Sequence, residues 1–181
     1  PHVADDAHAV QGTRPAAGLY CHRPVRTVGR QSAGTVSLNI NSRLHSFYWL
    51  GGSPCAGKSS VADRLAERYH LTIYRCDDAF NRHIAQCNGK EHPSLFAISH
   101  LTWDEIWMRP VDVQVAAVLN AYREEWGMIL DDLRRLPPER PFLVEGCALL
   151  PELVAPLAPP QAALWFVPAP SFQRRPYSQR G

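Results

Sequence analysis

A lysine and a serine behind a glycine-bounded loop, Gly52-Ser53-Pro54-Cys55-Ala56-Gly57-Lys58-Ser59, are the residues of this chain that speak most directly of chemistry. Gly, four residues, Gly-Lys and then Ser or Thr is the pattern of a loop that wraps a polyphosphate. The glycines let the backbone curl so that successive N–H groups turn inward, where a Cβ would obstruct. A helix starting at the loop, through Lys58, Ser59 and Ser60, adds its N-terminal partial charge to the same anion hole. Lys58 can then reach the β- and γ-phosphates, and the Ser59 hydroxyl can coordinate Mg²⁺. The chain has 17 arginines and only two lysines, Lys58 and Lys90, and one of the two falls where such a loop needs it. A chance match in a chain of this composition is expected roughly once in a thousand tries. Binding of a nucleotide phosphate is therefore the reading we adopt.

Two further acidic features fall at the ends of predicted strands, where open parallel sheets bind their ligands. Asp77-Asp78 follows the second strand. An acid there is placed to accept a proton from an attacking hydroxyl, with Asp78 the first choice and Asp77 the second. Either can equally serve as a helix N-cap. Glu145 follows an apolar strand, in the position of an acid that holds Mg²⁺ through water. Phosphoryl transfer spreads negative charge over the equatorial oxygens, so arginines are sought as well. Arg82 lies four residues after Asp78, on the same helix face. Arg109 follows the aromatic pair Trp103 and Trp107. Arg174, Arg175 and Arg180 form a basic tail. Cys55, inside the loop, reads as a filler.

The elements that must position these groups alternate. A strand over Ser46 to Leu50 enters the loop, and a helix over Lys58 to Tyr69 leaves it, with Val61, Leu65 and Tyr69 on one face. A strand over Leu71 to Tyr74 and a helix over Ala79 to Cys87 follow, then a polar loop around Asn88-Gly89 and Pro93. Pro110 opens a long helix whose face is Val115, Val118, Tyr122, Trp126, Ile129 and Leu133; Leu136-Pro137-Pro138 ends it. Phe142-Leu143-Val144 reads as a strand buried on both faces. A helical piece over Glu152 to Leu157 and a strand over Ala163 to Val167 complete the series. The fold class expected is α/β, a doubly wound parallel sheet.

At 181 residues there is room for one domain with a sizeable core. Residues 1–43 carry neither periodicity and few apolar groups. They read as a disordered extension, or as a stretch foreign to the protein, before a domain over residues 44–181. The net charge of +2 gives no case for a nucleic-acid partner. No run of 18 apolar residues occurs, so no membrane-spanning segment is expected. Five scattered cysteines without a C-x-x-C pair suit the reduced thiols of a cytoplasmic protein. His83 and Cys87 lie four apart, but no second pair accompanies them to make a metal site.

From Phe47 to Arg180 the chain resembles P-loop kinases of the group that includes nucleoside monophosphate kinases, shikimate kinase, chloramphenicol phosphotransferase and zeta toxins. The resemblance rests on Gly52 to Ser59, Asp78-Ala79-Phe80, Leu143-Val144-Glu145-Gly146 and the closing basic stretch. It implies ATP and Mg²⁺, an acceptor or base role for Asp78, and a lid begun near residue 171 that carries Arg174, Arg175 and Arg180. Pro176 departs from the continuous helix such a lid would have, and the family's last strand and helix are missing, as expected of a C-terminally truncated piece. The function expected is transfer of the γ-phosphoryl group of ATP to a small-molecule hydroxyl or a nucleoside monophosphate. The alternatives are a nucleotide-hydrolysing or nucleotide-sensing switch, and a kinase of polynucleotide or nucleotide-sugar ends.

Overall fold

In a computed structural model of the chain, the described residues are 47–137 and 140–172. The expected extension, residues 1–43, lies outside them, as do Arg174, Arg175 and Arg180. Four strands form one all-parallel sheet: β1 (Phe47–Gly52), β2 (Thr72–Arg75), β3 (Phe142–Glu145) and β4 (Ala163–Phe166), in the order β2-β3-β1-β4. Register is fixed by pairs such as Phe47 with Phe142, Leu50 with Leu164 and Arg75 with Glu145.

Alternation along each strand sends side chains to two faces, and helices cover both. On one face α1 (Lys58–Tyr69) lays Val61, Ala62 and Leu65 over Leu50, Ile73, Leu143 and Phe166. On the other, Phe47, Trp49, Phe142 and Val144 meet Tyr122, Ile129 and Leu133 of α5 (Val111–Arg135). The Trp49 and Trp126 rings lie 5.9 Å apart within this core. Between β2 and α5 come α2 (Cys76–Gln86), α3 (Pro93–Ser99) and α4 (Trp103–Trp107). They share a smaller core of Phe80, Leu95, Ile98, Ile106 and Ala121. A short α6 (Pro151–Val154) precedes β4.

The helix from Lys58 to Tyr69 and the long helix are where the periodicity predicts them. Other bounds shift. β1 continues through Gly51 and Gly52, because the Ser53 amide donates to the Phe166 carbonyl at 3.0 Å and carries pairing with β4 past the apolar run. α2 begins at Cys76 rather than Ala79, so Asp77 and Asp78 stand in its first turn. The polar loop at Pro93 is partly helical, as α3. Val115, on the predicted core face of α5, is exposed. A helix of 25 residues rises about 37 Å, far more than strands of four to six residues span, so its first turns run past the sheet.

Candidate functional site

The loop leaves the carboxyl end of β1, an interior strand with β3 on one side and β4 on the other. Its backbone is left-handed at three places: Gly52 (φ 118°), Cys55 (φ 57°) and Gly57 (φ 83°). At Gly52 glycine is needed twice over, since a Cβ there would come within 2.2 Å of the Phe166 carbonyl oxygen. At Gly57 nothing lies within 4 Å of a Cβ position, so the demand is on φ alone. Such alternation of hand builds an anion cradle from backbone amides. Gly57 is also the N-cap of α1, whose first turn carries no acidic residue and receives no side-chain cap. Its terminal positive partial charge thus has no carboxylate of its own helix set against it.

Lys58 is buried, with its ammonium folded back on the loop. Nζ donates to the Ser53 carbonyl at 2.9 Å and to Cys147 Sγ at 3.2 Å. Burial pushes the Cys147 thiol up to about 11 against the pull of Lys58, so Lys58 donates to a neutral thiol. Ser59 Oγ donates to Glu145 Oε1 at 3.4 Å, which brings hydroxyl and carboxylate together at the end of β3. Glu145 is buried too, and burial raises its pKa although Lys58, Arg75 and the Ser59 hydrogen bond oppose this. Arg75 Nε stands 3.7 Å from Glu145 Oε2, and its Nη2 is 2.5 Å from Asp63 on α1.

The two aspartates differ. Asp77 is half-buried, and burial pushes its carboxyl up to about 7, with Glu145 adding to the push and Lys58 opposing it. Asp78 is exposed. The second choice of the sequence reading is thus the one that shares the electrostatics of Lys58 and Glu145. Arg82 is turned away: its guanidinium is paired with Asp132 of α5. Arg109 donates from Nε to the Ile106 carbonyl at 3.3 Å, while its Nη2 is buried without a hydrogen-bond partner among the described residues.

Lys58, Ser59, Glu145 and Asp77 therefore come together, and Arg82 stays outside. Cys147 and Arg75 were missed. Cys147 lies two residues past Glu145, a spacing with no chemistry of its own. Arg75 joins the site because β2 neighbours β3, and strand order cannot be read from the strands themselves. Among the described residues no group of three or more His, Cys, Asp and Glu could hold a metal ion. A hydroxyl and one carboxylate suffice for Mg²⁺ where phosphate oxygens and water fill the remaining positions, so Ser59 and Glu145 fit that ion. No helix of the described residues is long and apolar enough to cross a membrane. No protein-family model matches the chain, and no match was found among the curated proteins.

Proposed function

We propose that the chain binds a nucleoside triphosphate, ATP in the first instance, on residues 52–60 and transfers its γ-phosphoryl group to a small-molecule hydroxyl or a nucleoside monophosphate. The observation that carries this is the meeting of a buried lysine, a serine–carboxylate pair and a half-buried aspartate at the carboxyl ends of β1, β2 and β3. The fold proposed with it is that of the P-loop kinases, which the parallel sheet and the position of the loop support.

In this reading the loop amides and the α1 N-terminus hold the phosphates. Lys58 exchanges its Ser53 and Cys147 partners for phosphate oxygens and moves with the charge as the γ-phosphoryl group leaves. A Mg²⁺ held by Ser59 and Glu145 would neutralise charge on the β- and γ-oxygens. Asp77, at the start of α2, takes the proton from the attacking hydroxyl, and the exposed Asp78 touches the acceptor. Arg109, whose Nη2 has no hydrogen-bond partner among the described residues, is the arginine we assign to the acceptor. The lid role of Arg174, Arg175 and Arg180 rests on the family resemblance alone.

The test is Lys58→Met, which keeps the apolar stem and removes the ammonium. Turnover of labelled ATP, followed against a panel of hydroxyl-bearing metabolites and nucleoside monophosphates, should fall on the order of a thousandfold. The melting temperature should move by only a few degrees. Undiminished turnover would reject the loop as the phosphate site.

A further inference from the structure

One buried titratable group has no part in that chemistry. His83, on α2, is 1% exposed and has both ring nitrogens engaged. Nδ1 lies 2.8 Å from Glu125 Oε1, and Nε2 lies 3.1 Å from Asp132 Oδ2, both acids coming from α5. Asp132 Oδ2 also accepts from the Tyr74 hydroxyl of β2 at 2.8 Å and from the Arg82 guanidinium. Arg135 stands 3.9 Å from the other Asp132 oxygen. Toward α3 and α4, α2 meets Leu95, Ile98 and Ile106, which carry no charge.

A neutral imidazole has one N–H and one lone pair. Between two carboxylates it would set that lone pair against an oxygen on one side. The distances are satisfied when the array holds one further proton, on the ring or on a carboxyl. Burial pushes Asp132 up, but the hydrogen bonds from Tyr74, Arg82 and His83 outweigh it and hold the carboxyl below its usual range. Glu125 is buried, and burial raises its carboxyl against the pull of His83. The extra proton therefore lies between Glu125 and His83.

We propose that Glu125, His83 and Asp132 form a proton-holding clamp that fixes α2 to α5, with His83 as the positioning residue for the turn that carries Asp77 and Asp78. The catalytic importance of that turn rests on the function proposed above; the clamp does not. When the proton leaves, the buried Glu125 carboxylate and the half-buried Asp132 carboxylate both face a neutral ring, and α2 loosens. Once ionised, Glu125 acts on the first turn as well, since its charge contributes to raising both Cys76 and Asp77.

The test follows amide hydrogen exchange of α2 in the full chain from about pH 6 to about pH 9, corrected for the intrinsic rate. Glu125→Gln is the informative variant, because its side-chain amide can donate to Nδ1 and no further proton is needed. Wild-type α2 should lose about tenfold in protection over that range relative to β3, while E125Q stays within about twofold. His83→Ala should leave α2 weakly protected at every pH with β1 and β3 unchanged. Spectra of ¹⁵N-histidine and ¹³C-glutamate label report the proton directly. An ionised Glu125 beside a singly protonated ring in the wild type overturns the clamp, and so does an equal alkaline loss in E125Q. These two readouts decide the matter even where His83→Ala does not fold. Once an acceptor is found, E125Q should hold its turnover at the alkaline pH where wild type declines. Clamp behaviour without any phosphoryl transfer overturns the proposed function and leaves the clamp standing.

Discussion

Neighbouring carboxyls at Asp77 and Asp78 carry the same chemistry in different surroundings. Asp77 is pushed up to about 7 by burial and by Glu145, so its protonated form is the one the fold favours. Its contribution to stability is present below the ordinary carboxylate range and is lost as pH rises through about 7. Asp77→Asn should therefore raise stability by about 1–2 kcal/mol at pH 8, after allowance for solvent screening. The gain should vanish toward pH 4, which thermal melts at the two pH values measure. If Asp77 accepts the proton, the same change lowers phosphoryl transfer roughly a hundredfold or more. Asp78→Asn should then act mainly on KM for the acceptor. The reverse pattern, with Asp78→Asn abolishing turnover, would give the base role back to Asp78. Sequence could bring the choice no further than the pair, because it turns on helix phase. One residue is about 100° around α2, and the phase follows from a start at Cys76 that no cap residue announces.

Among the helices, α1 and α5 were legible because twelve and 25 residues give a 3.6-residue period room to show. α3 and α4, with seven and five residues, do not. The N-terminus of α3 is also satisfied from a distance: Glu124 of α5 accepts from the Ser94 amide at 3.0 Å and from the Leu95 amide at 2.8 Å. No local pattern encodes such a cap. α4 does carry one, the Thr102–Glu105 capping box, a local signal that the sequence reading passed over. Glu124→Ala should cost about 1 kcal/mol, as loss of a cap does. The loss should be confined to α3 and seen as faster amide exchange over residues 93–99. Uniform loss of protection would mean that Glu124 supports α5 instead.

Among the described residues, the helices leave part of the sheet uncovered. α1 covers β2, β3 and most of β1 on its face, but Tyr48 and Leu164 on that face are 48% and 54% exposed. Among the described strands β4 stands at the edge of the sheet, so an exposed apolar surface and an open strand edge coincide there. Leu164→Lys should reduce self-association, measured by light scattering across a concentration series, and leave the melting temperature within a few degrees. Unchanged association would point instead to another exposed apolar region, Trp103, Trp107, Met108 and Val111. The α/β class and the parallel sheet followed from the alternation of elements. The bare face did not, since exposure depends on where neighbouring helices stop.

Strand order also governs how the protein is made. Of the four described strands β1 leaves the ribosome first, and its first partner, Phe142 on β3, follows about 95 residues later. At usual synthesis rates Phe47, Trp49 and Leu50 wait roughly 5–20 s before a neighbouring strand exists. Even the nearest pair in sequence, β2 with β3, must close about 70 residues of chain. Contacts this distant make folding slow beside helix formation, so α1 and α5 have time to form before any strand pairs. The Ser59–Glu145 pair is assembled only with the sheet, and the nascent chain meanwhile carries an apolar strand that a holding chaperone would recognise.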